Sequence, residues 1–166
     1  MNMETLASDG QTLSAISHAQ KTLLVFLRHS GCTFCRQALD ELKKISPKLA
    51  DENIVPVVVH MGSIEDGQAM LAAHQLQDTL QVSDPSCQLY RSYQLDRGRL
   101  SQLFGFDVWW AGFKAAILQR HGLGKLGGDG FQLGGAFLIR DDKILDAHRS
   151  NTAADATPFC KLKLTA

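Results

Sequence analysis

This sequence of 166 residues has no excess of positive or negative charge, only four prolines and no long apolar segment. Seventeen basic side chains balance 17 acidic ones, so no basic excess supports nucleic-acid binding and no polybasic stretch supports attachment to a membrane surface. The longest apolar runs, Leu23–Leu27 and Val57–Val59, are far too short to span a bilayer. Hydrophobic residues make up 45% of the chain, as in ordinary globular proteins, which argues against a disordered chain. We therefore expect a folded protein whose partners are neither nucleic acids nor membranes.

A secretory signal is also missing, because the N-terminal segment MNMETLASDGQTLSAISHAQK is polar and lacks a basic start and an apolar core. The expected location is the cytoplasm, a reducing compartment in which structural disulfides are rare. The four cysteines therefore need an explanation other than a disulfide framework. With no internal repeat or low-complexity linker, we expect a single domain that spans residues 1–166.

The hydrophobic pattern predicts strands and helices that alternate along most of the chain. Apolar runs predict five strands, at Leu23–Leu27, Ile54–Val59, Leu80–Val82, Phe131–Ile139 and Ile144–Ala147. Helical spacing and capping residues predict helices near Leu13, from Phe34 to Ser46, from Ser63 to about Leu76, from Asp84-Pro85 onward, over residues 99–120 and from about Ala154 to Lys161. Alternation first and a hairpin last predict an α/β fold, a mixed sheet with helices on both faces.

Two prolines set expected boundaries for these elements. The residue before proline is disfavoured in a helix, so we expect the second helix to end at Ser46-Pro47. Pro56 cannot donate to a strand ladder, so we expect its strand to lie at the edge of the sheet or to begin late. Within the second helix, Asp40 and Lys44 are spaced to pair on the polar side.

The main chemical signal is the motif CTFC at residues 32–35, which lies between the first buried strand and the start of the next helix. Free backbone N–H groups and the positive end of the helix dipole stabilise a thiolate at such a position, and flanking arginines add positive charge. A lowered thiol pKa makes a nucleophile at neutral pH, and a second thiol one turn away can attack the mixed disulfide or sulfenic acid that forms. We therefore predict a redox centre that mild oxidation links as a disulfide. It consists of Cys32 and Cys35, with Arg28, Thr33 and Arg36 as supporting residues.

Other interpretations of the cysteines and histidines stay open. The motif could be half of a zinc site, but a closed site needs two more ligands, and Cys87 and Cys160 are single and distant. Cys87 fits either a buried free thiol or a remote resolving thiol, and Cys160 fits a thiol of the C-terminal tail. His29, close to the motif, could assist proton transfer or simply end the strand.

Three segments resemble one family of redox proteins. They are LLVFLRHSGCTFCRQALDEL at residues 23–42, SDPSCQLYRSYQL at residues 83–95 and QLGGAFLIRDDKILDAHRS at residues 132–150. The first resembles the thioredoxin fold. The order of all three resembles the peroxiredoxin-like proteins of the alkyl hydroperoxide reductase/thiol-specific antioxidant superfamily, with selenoprotein L and the prostamide synthase group as similar proteins. The resemblance implies a thioredoxin-like mixed sheet flanked by helices, with a helical insertion before the last β-hairpin.

Departures from the family pattern bear on the mechanism. By comparison with typical peroxiredoxins, Cys35 stands at the peroxidatic position and Cys32 replaces a threonine. The cis-proline and the buried acid of thioredoxins have no counterpart at residues 133–136 and 22–29. The peroxiredoxin arginine before the late strand is matched by Gly134, so peroxide activation would need another cation. The candidates are Arg28, Arg36, Arg91 and Arg149.

The resemblance and the cysteine pair together imply a thiol–disulfide oxidoreductase of the peroxidase kind. It would reduce a peroxide or an oxidised thiol with electrons from thioredoxin or glutathione, and no flavin, haem, nicotinamide or metal cofactor is expected. Exposure at the turn favours Cys32 as the nucleophile toward bulky disulfides, whereas the resemblance favours Cys35 toward peroxides. The alternative is a non-catalytic binding module on the same fold, in which the apolar stretch with Trp109 and Trp110 forms an interface, for example that of a homodimer.

Overall fold

The computed structural model describes residues 1–27, 33–95, 132–150, 159 and 162, with residues 33 and 34 described by their backbone alone. Several expectations lie outside the described residues, and they stay predictions. These are the apolar helical stretch at residues 99–120, most of the final helix, and the residues Arg28, His29, Cys32, Trp109, Trp110 and Cys160.

Within the described residues, the sheet has five strands in the order β3-β2-β1-β4-β5. The strands are β1 (Lys21–Phe26), β2 (Ile54–His60), β3 (Leu80–Ser83), β4 (Gly135–Arg140) and β5 (Lys143–Arg149). The central strand β1 pairs in parallel with β2 and antiparallel with β4, while β3 and β5 extend the two sides. The predicted mixed sheet is therefore confirmed, and β1 is apolar throughout most of its length because both of its faces are covered.

Helices cover both faces of this sheet. They are α1 (Leu13–Ala19), α2 (Thr33–Asp51), α3 (Ile64–Ala73) and α4 (Gln88–Ser92). Successive side chains of a strand point to opposite faces, and β1 divides accordingly between two hydrophobic clusters. Leu23 and Val25 belong to the cluster that includes residues of α2 and α3, whereas Leu24 and Phe26 belong to the cluster that includes residues of α1 and α4.

The start of α3 follows the sequence prediction. The Ser63 hydroxyl accepts a hydrogen bond from the Asp66 N–H at 3.1 Å, and the Asp66 carboxylate accepts one from the Ser63 N–H at 3.3 Å. This reciprocal capping box satisfies backbone donors that would otherwise lack partners at the helix start. The helix ends at Ala73, before the predicted Leu76.

The expected end of α2 at Ser46-Pro47 is wrong, because the helix continues through Pro47 to Asp51. Continuation keeps Leu49 buried in the same cluster as β1. Pro47 itself is exposed, so a carbonyl that loses its helical donor there can turn to water. The Ser46 hydroxyl donates to the Leu42 carbonyl at 2.8 Å, which gives the turn before the proline an additional hydrogen bond.

The edge position expected for Pro56 is also wrong, because β2 lies between β1 and β3. The Leu27 N–H donates to the Val59 carbonyl at 2.9 Å, so the backbone polar groups of Val59 point toward β1. Because this direction alternates along a strand, the backbone nitrogen of Pro56 points toward β3. Pairing with β3 begins only at Val57. The missing N–H of Pro56 therefore interrupts no hydrogen-bond ladder. The late strand start that the proline predicts applies to the pairing of β2 with β3, whereas the pairing of β2 with β1 already begins at Ile54.

Candidate active site

Cys35 lies in the first turn of α2, and only 4% of its surface is exposed. It belongs to the same hydrophobic cluster as Leu27, which follows β1, and as Ala38 and Leu39 further along the helix. Cys35 is therefore held at the carboxyl end of the parallel strands and at the N-terminal end of a 19-residue helix. The positive end of the helix dipole favours negative charge there, which is what a reactive thiolate needs.

The other predicted residues of the motif divide between the described and the undescribed parts of the chain. Cys32 and Arg28 lie outside the described residues, so the pairing of Cys32 with Cys35 stays a prediction. Thr33 begins α2, and Arg36 follows Cys35 at an exposed position. The structure describes two cysteines, of which Cys35 is buried and Cys87 is half-buried.

A cavity of about 390 Å³ opens beside Cys35, between α2 and the end of α3. Within the described part of the chain it is lined by Cys35, Arg36, Leu39, Met70, Ala73 and His74. Its volume falls in the range of roughly 300–1,000 Å³ that is typical of small-molecule sites. The lining combines a thiol, an apolar floor, a guanidinium group and an imidazole.

The cavity distinguishes among the cations proposed to activate a peroxide. Arg36 lines it together with Cys35. Arg149 packs in the α1/α4 layer instead: its guanidinium carbon lies 5.0 Å from the centroid of the Phe137 ring, and its Nε donates to the Tyr93 carbonyl at 3.1 Å. Arg91 is exposed on α4. Of the described candidates, Arg36 is therefore the one that the fold brings to the thiol.

Two polar contacts join α2 to the residues at the end of α3. Asp40, spaced in the sequence to pair with Lys44, has its Oδ1 atom 2.8 Å from Nδ1 of His74. The Lys43 ammonium donates to Oε1 of Gln75 at 2.6 Å. Sequence reasoning did not identify His74, because nothing within a few residues of it indicates that α3 ends beside α2.

Tyr90 hydrogen-bonds to the carboxyl ends of β1 and β2, near Cys35. Its buried hydroxyl contacts the carbonyl oxygens of Leu27 and Val59, and with a single proton it donates to one of them at a time. Burial raises the pKa of Tyr90 well above its ordinary value, and negative charge on Cys35, Cys87 and Asp84 raises it further. The phenol is therefore a neutral donor at the point where the chain leaves β1 toward Cys32.

Asp84 holds the short helix that carries Tyr90. Its carboxylate accepts hydrogen bonds from the backbone N–H groups of Gln88 at 3.0 Å, Leu89 at 2.7 Å and Tyr90 at 3.3 Å. The predicted helix start at Asp84-Pro85 is too early, because the helix begins at Gln88 after Cys87, whose φ of 54° is left-handed. Asp84 nevertheless caps it, because the intervening turn returns the chain to the carboxylate.

Within the described ranges, no group of three or more His, Cys, Asp or Glu side chains is arranged to hold a metal ion. None of the helices in the part of the chain that the structure describes combines the length and the apolar character needed to cross a membrane.

A family model described as AhpC/TSA antioxidant enzyme matches residues 41–152, more than half of the chain. The matched range begins after Cys35, so it does not depend on the Cys-x-x-Cys motif. No curated protein matches this sequence.

Solved structures of similar fold include several peroxiredoxins. Peroxidoxin BcpB from Mycobacterium tuberculosis is similar with a TM-score of 0.62 at 15% identity, over 89% of this chain and 80% of that chain. A cysteine-to-serine mutant of PrxQ from Xylella fastidiosa is similar with a TM-score of 0.63 at 16% identity, over 93% and 80% of the two chains. A yeast mitochondrial 1-Cys peroxiredoxin, whose thiol is resolved via glutathione/thioredoxin systems, is similar with a TM-score of 0.60 at 10% identity, over 92% and 65%. These likenesses show the expected thioredoxin-like fold.

Proposed function

Because the chain belongs to the AhpC/TSA antioxidant enzyme family, as three of its segments predicted, we propose that it is a thiol-dependent peroxidase whose first chemical step takes place at Cys35. The position of this thiol carries the proposal. Cys35 lies in the first turn of a long helix, where negative charge is stabilised, and it lines a cavity large enough to admit a small peroxide. The guanidinium of Arg36 lines the same cavity and supplies a positive charge.

The proposed cycle needs only thiol chemistry. The Cys35 thiolate attacks one oxygen of the peroxide, the O–O bond breaks, and Cys35 becomes a sulfenic acid while the other oxygen leaves and takes up a proton. The Cys32 thiol then attacks the sulfenic sulfur, which forms the Cys32–Cys35 disulfide and releases water. An external dithiol, or two molecules of a monothiol, reduces this disulfide and restores both cysteines.

Thioredoxin or glutathione is the reductant that we propose. The fold similarity to a yeast peroxiredoxin whose thiol is resolved via glutathione/thioredoxin systems supports this choice, and it does not discriminate between the two. Both reductants act in reducing compartments, so the cytoplasm is the proposed location. A homodimer formed through Trp109 and Trp110 stays a prediction.

Peroxide-dependent consumption of NADPH tests the proposed activity. The full-length protein is assayed with hydrogen peroxide or tert-butyl hydroperoxide, in one arm with thioredoxin and its reductase and in another with glutathione, glutaredoxin and glutathione reductase. We expect turnover in at least one arm, its loss in Cys35→Ser, and its retention in the control Cys87→Ser. Absence of turnover in every arm would contradict the proposal and favour a binding module. Loss in Cys87→Ser would instead make Cys87 the resolving thiol.

Trapping of mixed disulfides tests which cysteine attacks disulfide substrates. Cys35 is buried, which makes it a poor nucleophile toward bulky disulfides, so Cys32 remains the predicted nucleophile for these substrates. We therefore expect Cys35→Ser to trap a covalent complex with an oxidised partner protein and Cys32→Ser to trap none, as seen on non-reducing gels. Trapping by Cys32→Ser alone would assign both reactions to Cys35.

A further inference from the structure

A histidine–aspartate pair shares the cavity with the Cys35 thiol. Cys35 belongs to α2, whereas His74 is the residue that caps the C-terminal end of α3, and both line the same cavity of about 390 Å³. The cavity therefore brings together, from two different helices, a residue that bears a thiol and a residue that bears an imidazole.

Asp40 orients this imidazole. Its Oδ1 atom lies 2.8 Å from Nδ1 of His74, and an ionised carboxylate can only accept, so Nδ1 carries the proton of this hydrogen bond. The other ring nitrogen, Nε2, is then the one that can exchange a proton with a ligand. Seventeen per cent of the His74 side chain is exposed, which leaves the ring in contact with solvent and able to recover a proton after each reaction.

The leaving group of a peroxide creates the need for such a proton. When the thiolate attacks and the O–O bond breaks, an organic hydroperoxide releases an alkoxide, which is a strong base and a poor leaving group unless it is protonated. We propose that His74, held by Asp40, is the general acid that protonates this leaving oxygen. The inference rests on the proposed peroxidase function.

The step balances without a further reactant. The Cys35 thiolate and the hydroperoxide give the Cys35 sulfenic acid and an alkoxide, and the protonated His74 ring transfers its Nε2 proton to the alkoxide to give the alcohol. The neutral ring then regains a proton from water. Leu39, Met70 and Ala73 provide an apolar surface for the organic part of the substrate, and Arg36 provides positive charge.

Two other described histidines, His60 and His18, occupy different environments. His60 is buried beneath α3 and its Nε2 lies 2.8 Å from Oε1 of Gln81. His18 also contacts a carboxylate, that of Asp142 at 3.1 Å, but it lies at the end of α1 beside the β4–β5 turn. His18 is therefore a matched control, a second histidine–aspartate pair that is remote from the cavity lining.

The test compares substrates whose leaving groups differ in basicity. Tert-butyl hydroperoxide releases an alkoxide, whereas peracetic acid releases acetate, which leaves without protonation. The fully reduced full-length protein is mixed with each oxidant in a single turnover, and thiol loss at Cys35 is followed by timed alkylation and mass spectrometry. This design needs no reductant, so it isolates the peroxide step.

We expect His74→Gln to slow the reaction with tert-butyl hydroperoxide on the order of 10²-fold, the lower end of general acid catalysis, and to change the reaction with peracetic acid by less than about threefold. Asp40→Asn, at an exposed position, should show a smaller loss with the same selectivity. His18→Gln should change neither rate. Asp40→Asn also keeps the proposal testable if His74→Gln fails to fold.

Equal losses with both oxidants, or no loss with either, would overturn the role of His74 and leave the peroxidase function standing. A wild-type protein whose Cys35 thiol reacts with neither oxidant would overturn the peroxidase function and the role of His74 with it.

Discussion

Tyr90 shows how one side chain can connect the core to the carboxyl ends of β1 and β2, of which β1 precedes the cysteine motif in the sequence. Its hydroxyl contacts the carbonyl oxygens of Leu27 and Val59, and its ring packs edge-on against Phe26 at 5.0 Å between centroids. Leu27 is the last described residue before the segment that leads to Cys32. Removal of this hydroxyl should therefore change both the stability of the core and the ionisation of the nearby Cys35 thiol.

Removal of the hydroxyl alone tests this connection. Tyr90→Phe keeps the ring and leaves buried carbonyl oxygen short of a donor, which should cost about 1–3 kcal/mol in the free energy of unfolding. Urea denaturation measures that loss, and the pH profile of thiol alkylation at Cys35 should shift as well.

Tyr93→Phe is the matched control for Tyr90→Phe. The Tyr93 hydroxyl donates to the Met3 sulfur at 3.1 Å, a weak acceptor, and its ring packs against Phe26 and Phe137. Its loss should cost less stability and leave the alkylation profile unchanged. Identical profiles for all three proteins would show that Tyr90 supports the core without influencing the thiol.

At the scale of elements, helix α3 packs on the sheet through a glycine. The strands beneath it present a buried polar pair, in which His60 Nε2 lies 2.8 Å from Oε1 of Gln81. A Cβ atom on Gly67 would lie 2.1 Å from the first of these atoms and 2.0 Å from the second. Glycine at this position is therefore required by space, although it lowers helix propensity.

Gly67→Ala should destabilise the protein despite the better helix former. Alanine gains about 1 kcal/mol in propensity, but α3 must lift or the buried pair must break, and overpacking or an unsatisfied buried polar group costs about 1–3 kcal/mol. We expect a net loss in the urea midpoint and faster amide exchange in α3. Gln68→Ala, exposed on the same helix, should stay within about 0.5 kcal/mol of wild type. A more stable Gly67→Ala protein would show that α3 can shift without cost.

At the scale of the whole molecule, the β4–β5 turn is fastened to α1. Asp141 and Asp142 form the two-residue turn with φ angles of 49° and 59°, as hairpins of this length require. The Asp142 carboxylate accepts from the hydroxyls of Ser14 at 2.9 Å and Ser17 at 3.1 Å. These hydrogen bonds join the first helix to the last two strands, so protonation of the Asp142 carboxylate should lower the stability of the whole protein.

Two groups predict the pH dependence of unfolding. Burial lowers the pKa of His60 below its ordinary value, against the opposing effects of Gln81, the Gly62 backbone and Asp66. The unfolded chain then binds the proton more readily, so stability is fully present above pH of about 6.5 and decreases as the pH falls below it. The hydrogen bond from Ser14 chiefly lowers the pKa of Asp142, so its contribution is present above pH of about 3.9 and is lost as the pH falls through its lower folded value.

Urea midpoints between pH 7.5 and pH 3, values that bracket these two ordinary pKa values of about 6.5 and 3.9, separate the two groups. His60→Gln should flatten the decrease below neutral pH, and Asp142→Asn should flatten only the acid limb. A wild-type midpoint that rises as the pH falls from 7.5 toward 5 would contradict the effect of His60, because the sign would be reversed.

The sequence by itself determined the features that depend on neighbours along the chain. An unbroken apolar run predicted β1, because a strand covered on both faces has no polar side. Ser63 predicted the start of α3, because an N-cap side chain bonds to backbone N–H groups only two or three residues away. The last two apolar runs predicted the hairpin, and the family segments predicted the fold. The Cys-x-x-Cys motif likewise indicated the end of α2 at which Cys35 lies.

The tertiary structure decided the features that join distant parts of the chain. Pro56 sits in an interior strand because β3 begins pairing one residue later, and Pro47 stays helical because Leu49 is buried against the sheet. His74 reaches Asp40 across 34 positions of sequence because the parallel order of β1, β2 and β3 sets α2 beside α3. Local propensities act over a few residues. The cavity beside Cys35 forms only when the strands have assembled in their order and α2 and α3 have packed on the same face of the sheet.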